Sequence, residues 1–156
     1  MIWGGFCAAH RSSIVFLDSR MNCQEMVQQV YCPSLCPFVK QMEKAPWIRG
    51  QHQLLLMEEN ALIHMAAFRN QWHKQNGILK MEWLANSPDL NPIKNICKSM
   101  KSKILKLYQP QNLEELKHAI QSCWSDIHPG ILNDYLQSMP RRMQMVIDQH
   151  GGPTSY

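Results

Sequence analysis

The sequence predicts an α/β fold, on two observations. The first half alternates short apolar or β-prone runs with segments of helical period, in the order ββαβαβ, and the second half carries amphipathic helices that begin at capping residues. At 156 residues, 45% hydrophobic and 18% charged, the chain is one domain's worth of sequence with enough apolar residues for a real core.

Taken in order, "MIWGGFC" and "SSIVFLD" read as two short strands around a turn at residues 8–11. From Asn22 to Met42 the positions Met26, Val27, Val30, Tyr31, Leu35 and Phe38 keep a helical period, and Pro33 and Pro37 predict a bend or break. "HQLLLMEEN" reads as a buried strand that ends at the rim of a sheet, with Glu58 and Glu59 at that rim. Residues 65–76 predict a helix with Phe68 and Trp72 on one side, closing at Gly77, and "ILKMEWL" follows as an alternating strand.

In "ANSPDLNPIKN" the prolines Pro88 and Pro92 bias Ser87 and Asn91 toward extended backbone, so a helix can start only at Pro92, with Asn91 as its N-cap. Lys94 then falls in the first turn, where the helix dipole favours an acid and a lysine carries the wrong charge. The helix presents Ile93, Ile96, Cys97, Met100, Ile104 and Leu107 on one stripe, beside a basic flank of lysines. Asn112 with Glu115 three residues on opens a second helix through Trp124 and Ile127, and a last helical segment over 129–150 is expected to bend at Pro140.

Composition narrows the function classes. No basic start and apolar run of a signal peptide is present, and runs such as "IVFL" and "LLLM" are too short to span a bilayer, so a soluble nuclear or cytoplasmic protein is expected, not secreted and without a membrane partner. The six cysteines are expected as free, mostly buried thiols. Cys32 and Cys36 sit at helical spacing, but no second pair faces them, which argues against structural zinc. A net charge of +4 favours an anionic partner such as DNA.

Several stretches together resemble one family, the mariner superfamily of DDE transposases. "WGGF" with "IVFLDSRMN" resembles its second and third strands, "EENALIH" its second catalytic motif, "NSPDLNPIKN" its third, and "SMPRRMQMVIDQHGGPTSY" the end of many members. The resemblance implies a ribonuclease H-like fold, here lacking the first central strand, with C-terminal helices. The whole of residues 1–156 is then a partial catalytic domain without the N-terminal helix-turn-helix DNA-binding region.

Family members hold two divalent ions, Mg2+ or Mn2+, between three carboxylates and use them to cut and join DNA. Carried over, the second acid falls on Glu59 and the third on Lys94, with thirty-four residues between them, and the first acid is absent. Glu59, a degenerate metal ligand, keeps the charge but moves it by about 1.5 Å, and a misplacement of about 1 Å costs on the order of a hundredfold. Lys94 cannot coordinate a metal while protonated.

The plainer readings of the same residues are these. Glu58 and Glu59 are solvated charges, Asp89 and Asn91 serve the turn and the cap, His64 is structural, and Trp72, Trp83 and Trp124 are core. Lys98 and Lys101, with Lys103 and Lys106, form either a solvated face or a DNA contact. The expected function is a catalytically inactive transposase-derived relic. The alternative is a domesticated module that binds DNA, a full-length transposase or a second copy without catalysis. An active enzyme would need Glu59 to work with Glu58 or Asp89 and a first acid from another subunit.

Overall fold

The computed structural model describes residues 1–18, 21–48, 53–58, 66–83, 87–152 and 154. The chain forms two compact units, one from Met1–Gly4 with Val15–Asn86 and one from Gly5–Ile14 with Ser87–Tyr156. The expected N-terminal hairpin is divided between them. Its strands are β1 (Ile2–Trp3), β2 (Phe6–Cys7), β3 (His10–Arg11) and β4 (Val15–Phe16). β1 pairs antiparallel with β4 in the first unit, Ile2 opposite Phe16, and β2 with β3 in the second, Phe6 opposite Arg11. Next to the inner pair the Ser12 hydroxyl accepts from Gly5 N–H at 2.9 Å, so a side chain replaces a ladder rung.

In the first unit, α1 (Cys23–Met26) starts at Asn22, whose side chain accepts from Glu25 N–H while the Glu25 carboxylate accepts from Asn22 N–H. A π-helical stretch, Val27–Leu35, and α2 (Cys36–Glu43) continue it without interruption. Of the bend or break expected at Pro33 and Pro37, the break is therefore absent. Pro33 has no N–H to give, and the wider register absorbs the defect: Cys36 N–H reaches five residues back to Tyr31 C=O, while Pro37 occupies the first turn of α2.

β5 (Leu55–Leu56) and β6 (Leu79–Lys80) run parallel, Leu55 opposite Leu79, and α3 (Ala66–Gln75) lies between them in sequence. Gly77 at φ +69° follows α3. β5 is not the buried strand expected, because Leu55 is 55% exposed. Nor does Phe68 face the core; Arg69 and His73 are the buried residues of α3. Val30, Tyr31, Leu35, Leu17 and Ile78 make the apolar core, with Trp72 and Leu56 packed against it.

The longer segment of the second unit opens on a 3-10 turn, Pro88–Leu90, and α4 (Pro92–Lys103), with Asn91 capping Ile93 N–H as expected. A π-helical extension, Ile104–Tyr108, stops at Gln109 in the left-handed region, φ 44°. α5 (Leu113–Ser125) is capped by the Asn112 side chain, but the Glu115 carboxylate accepts from Gln111 N–H rather than closing the reciprocal box. α6 (Pro129–Gln137) and α7 (Met139–Asp148) divide at Ser138, ahead of the bend expected at Pro140, which sits in the first turn of α7 where no N–H is needed.

Ile96, Met100, Ile104, Ala119, Cys123, Trp124 and Leu132 form this unit's core, whereas Cys97 and Leu107 of the expected stripe are exposed. Arg11 Nη1 donates to Ile127 C=O at 2.7 Å and Trp124 Nε1 to Ser12 C=O at 2.8 Å, which fasten the inner hairpin to α5. All six cysteines are reduced thiols, but only Cys23 and Cys123 are buried, fewer than expected. No helix among the described residues is long and apolar enough to cross a membrane.

Candidate functional site

Glu59 and His64, the second-motif residues, lie outside the described residues. The third motif is described from Ser87 onward. Lys94 stands exposed on the first turn of α4, and that turn holds no acid. Asp89 serves the turn and the chain's end. Its carboxylate accepts from Thr154 N–H at 2.8 Å, and this bond first of all, with its own and Leu90's backbone N–H, holds it below the usual carboxylate range. Asn91 is buried and spends its side chain on the cap.

The turn is clamped from the C-terminal helix. Arg142 is fully buried, and its Nη1 donates to Asp89 C=O and to Asn95 Oδ1, both at 2.7 Å, while Nε donates to Ser138 Oγ at 2.8 Å. Nothing in the sequence of "PRRM" separates buried Arg142 from exposed Arg141.

The Asp89 carboxylate contributes stability that is fully present above about pH 4, its unfolded range, and lost as pH falls through its lowered folded value. Ending the chain at Gly152 should bring Asp89 back up toward the ordinary range in a carboxyl NMR titration. An unchanged titration would show that the tail does not hold it.

α4 and its π-helical extension, residues 92–108, carry Lys94, Lys98, Lys101, Lys103 and Lys106 and no acid. Asn95, Lys98, Ser99, Ser102, Lys103, Lys106 and Leu107, at helical spacing on one face, line a groove of about 590 Å³ with Tyr135 of α6. Of the two lysines singled out from sequence, Lys98 lines this groove and Lys101 does not. Lys103 Nζ is 3.0 Å from Asp126 Oδ2 at the surface. No carboxylate lines the groove, so its walls offer ammonium, hydroxyl and amide donors to an anion.

Glu58 overturns the plain reading of a solvated acid. Its side chain is only 15% exposed; Oε1 accepts from the Tyr31 hydroxyl, and Oε2 lies 3.5 Å from His73 Nε2, 3.6 Å from Lys80 Nζ and 3.7 Å from Arg69 Nη1. Burial works to raise the carboxyl, but His73, Tyr31 and Arg69 outweigh it and hold Glu58 below its usual value. Burial, and then the Glu58 charge, push the Tyr31 phenol far above its ordinary range. Sequence reasoning missed this cluster. Its one signal was Arg69 and His73 four residues apart beside Trp72, on a helix with too few apolar residues to bury a purely apolar face.

No family model matches the chain. It is 27% identical over 158 residues to the transposable element Tcb2 transposase of Caenorhabditis briggsae, covering 100% of this chain and 54% of that protein. It is 26% identical over 163 residues to the Tc3 transposase of Caenorhabditis elegans, covering 100% and 45%, and 29% identical over 113 residues to the Tcb1 transposase of Caenorhabditis briggsae, covering 71% and 41%. The chain spans about half the length of the curated relatives it matches.

Proposed function

We propose, from the premise that the curated relatives of this chain are transposases of the Tc1/mariner family, that it is a transposase-derived protein in which a ribonuclease H-like catalytic centre has ceased to work. Lys94 carries this reading. An ammonium at the third-acid position repels Mg2+ or Mn2+ where a carboxylate should bind it. The replacement acids are committed elsewhere, Glu58 to Arg69, His73 and Lys80 and Asp89 to Thr154, and this supports the same conclusion. Glu59 keeps a carboxylate at the second-acid position. The purified chain should not nick supercoiled plasmid in Mg2+ or Mn2+; nicking that Glu59→Ala abolishes would overturn the proposal.

The acid-free groove favours a second, compatible reading, in which the chain holds DNA by its phosphates without cutting it. Lys98 and Lys106 do the holding, and Lys101, off the groove, contributes less. Binding to duplex DNA should weaken with salt, and the double substitution Lys98→Glu with Lys106→Glu should flatten the salt slope by about one unit per lysine lost. Lys101→Glu should cost less than either. Binding indifferent to salt, or lost equally with Lys101→Glu, would remove this reading.

A further inference from the structure

Two of the six thiols share one face of one helix. Cys32 lies in the π-helical stretch Val27–Leu35 and Cys36 is the first residue of α2, so an uninterrupted rod carries both. Four residues make slightly more than one α turn and slightly less than one π turn, and in either register the second side chain stands on the same side as the first. Cys32 is exposed, and Cys36 is half-buried and packed against the core that holds Val30, Tyr31 and Leu35. Burial pushes the Cys36 thiol up, and the charge of Cys32 adds to that, which requires the two sulfurs to be near each other; Lys40, one turn further on, works the other way.

The spacing selects what this pair can do. Residues four apart on a helix have Cβ atoms about 5–6 Å apart. A disulfide needs about 3.5–4.5 Å between the same atoms, so a direct bond would require the helix to distort. An ion with two metal–sulfur bonds of about 2.3 Å spans about 4.5 Å between the sulfurs and fits the undistorted backbone. Pro33 between the two cysteines and Pro37 after them have φ fixed, which stiffens the rod that holds the pair. Thiolates are soft ligands, and copper(I) is a soft ion satisfied by two of them in line, whereas zinc takes four ligands in a tetrahedron. Among the described residues no group of three or more His, Cys, Asp or Glu is placed to hold a metal ion, so the pair is a two-ligand set.

We propose that Cys32 and Cys36 form a binding site for one copper(I) ion, held in line between their two Sγ atoms. Each thiol gives its proton to solvent on binding, so the ion with its two thiolates carries one net negative charge. Lys40 is the one cationic residue between Asn22 and Glu43 in the sequence, and it stands a turn beyond Cys36 to offset that charge. The site belongs to the first unit and is independent of the lysine groove and of any DNA reading.

The test is titration of the reduced full chain with copper(I), without oxygen, against a coloured copper(I) chelator such as bathocuproine disulfonate. The chain should withhold one equivalent and gain a thiolate-to-copper absorption band in the near ultraviolet, while sedimenting as it does without the metal. Cys32→Ser should lower the affinity by more than the roughly 10–100-fold that an outer partner of a metal ligand is worth. Cys36→Ser should do the same; should it fail to fold, Cys32→Ser carries the test alone, because Cys32 is exposed. Cys7→Ser with Cys97→Ser, which removes the two other thiols that solvent reaches, should leave binding unchanged. Full retention by Cys32→Ser, loss with the Cys7 and Cys97 pair, one ion shared between two chains, or displacement by an equal amount of zinc overturns the proposal.

Discussion

Arg142→Met should destabilise the second unit by about 3 kcal/mol or more, lowering its melting temperature by on the order of 15 °C. Methionine fills much of the volume but donates nothing. Asp89 C=O and Asn95 Oδ1 then lose a charged donor at 2.7 Å, and the Ser138 hydroxyl loses its bond to Nε. The damage should spread to the start of α4, because the Pro88–Leu90 turn would be left without its clamp. Arg141→Met is the matched control: Arg141 is exposed and should melt within about 0.5 kcal/mol of the parent. Equal losses at the two positions would show that the clamp is not the cause.

Glu58→Gln should strike the first unit about as hard. Glutamine keeps an acceptor for the Tyr31 hydroxyl, so the change isolates the charge. Arg69 and Lys80 would both lose the Glu58 charge in a poorly solvated place, and breaking a buried pair in this way costs about 3–5 kcal/mol. Trp3, Trp47, Trp72 and Trp83 belong to this unit and Trp124 alone to the other, so tryptophan fluorescence reports mainly on the damaged unit. Adding Lys80→Met to Glu58→Gln should recover part of the loss by removing one of the cations that faced Glu58. No recovery would mean that Glu58 acts by packing rather than by charge.

The sequence was most informative where local chemistry decides the structure. Asn91 before Pro92, Asn112 before Leu113 and Gly77 after α3 each act within a turn of their own position, and each boundary is found there. The likeness to transposases was legible for the same reason, since "NSPDLNPI" and "EENALIH" are short local runs that can be read without the rest of the fold. The π-helical register around Pro33 was not legible, because widening and kinking both answer a missing N–H. The partners of Glu58 lie eleven, fifteen and twenty-two residues further on, so a strand-end acid looked solvated until α3 and β6 packed over it. Lys98 and Lys101 read alike in sequence, and only the rotation of α4 against Tyr135 separates them.

The three sheets among the described residues are pairs of two-residue strands. Every strand is therefore an edge, and no ladder has an interior rung to shield the others. This sets an order of events for amide hydrogen exchange. The amides of Leu55, Leu56, Leu79 and Lys80 should trade their hydrogens through brief local openings, ahead of those of Val30, Tyr31 and Leu132, which sit on helices at 0% exposure. Helices thus keep the slowest clock in this molecule, and the strands run on a faster one.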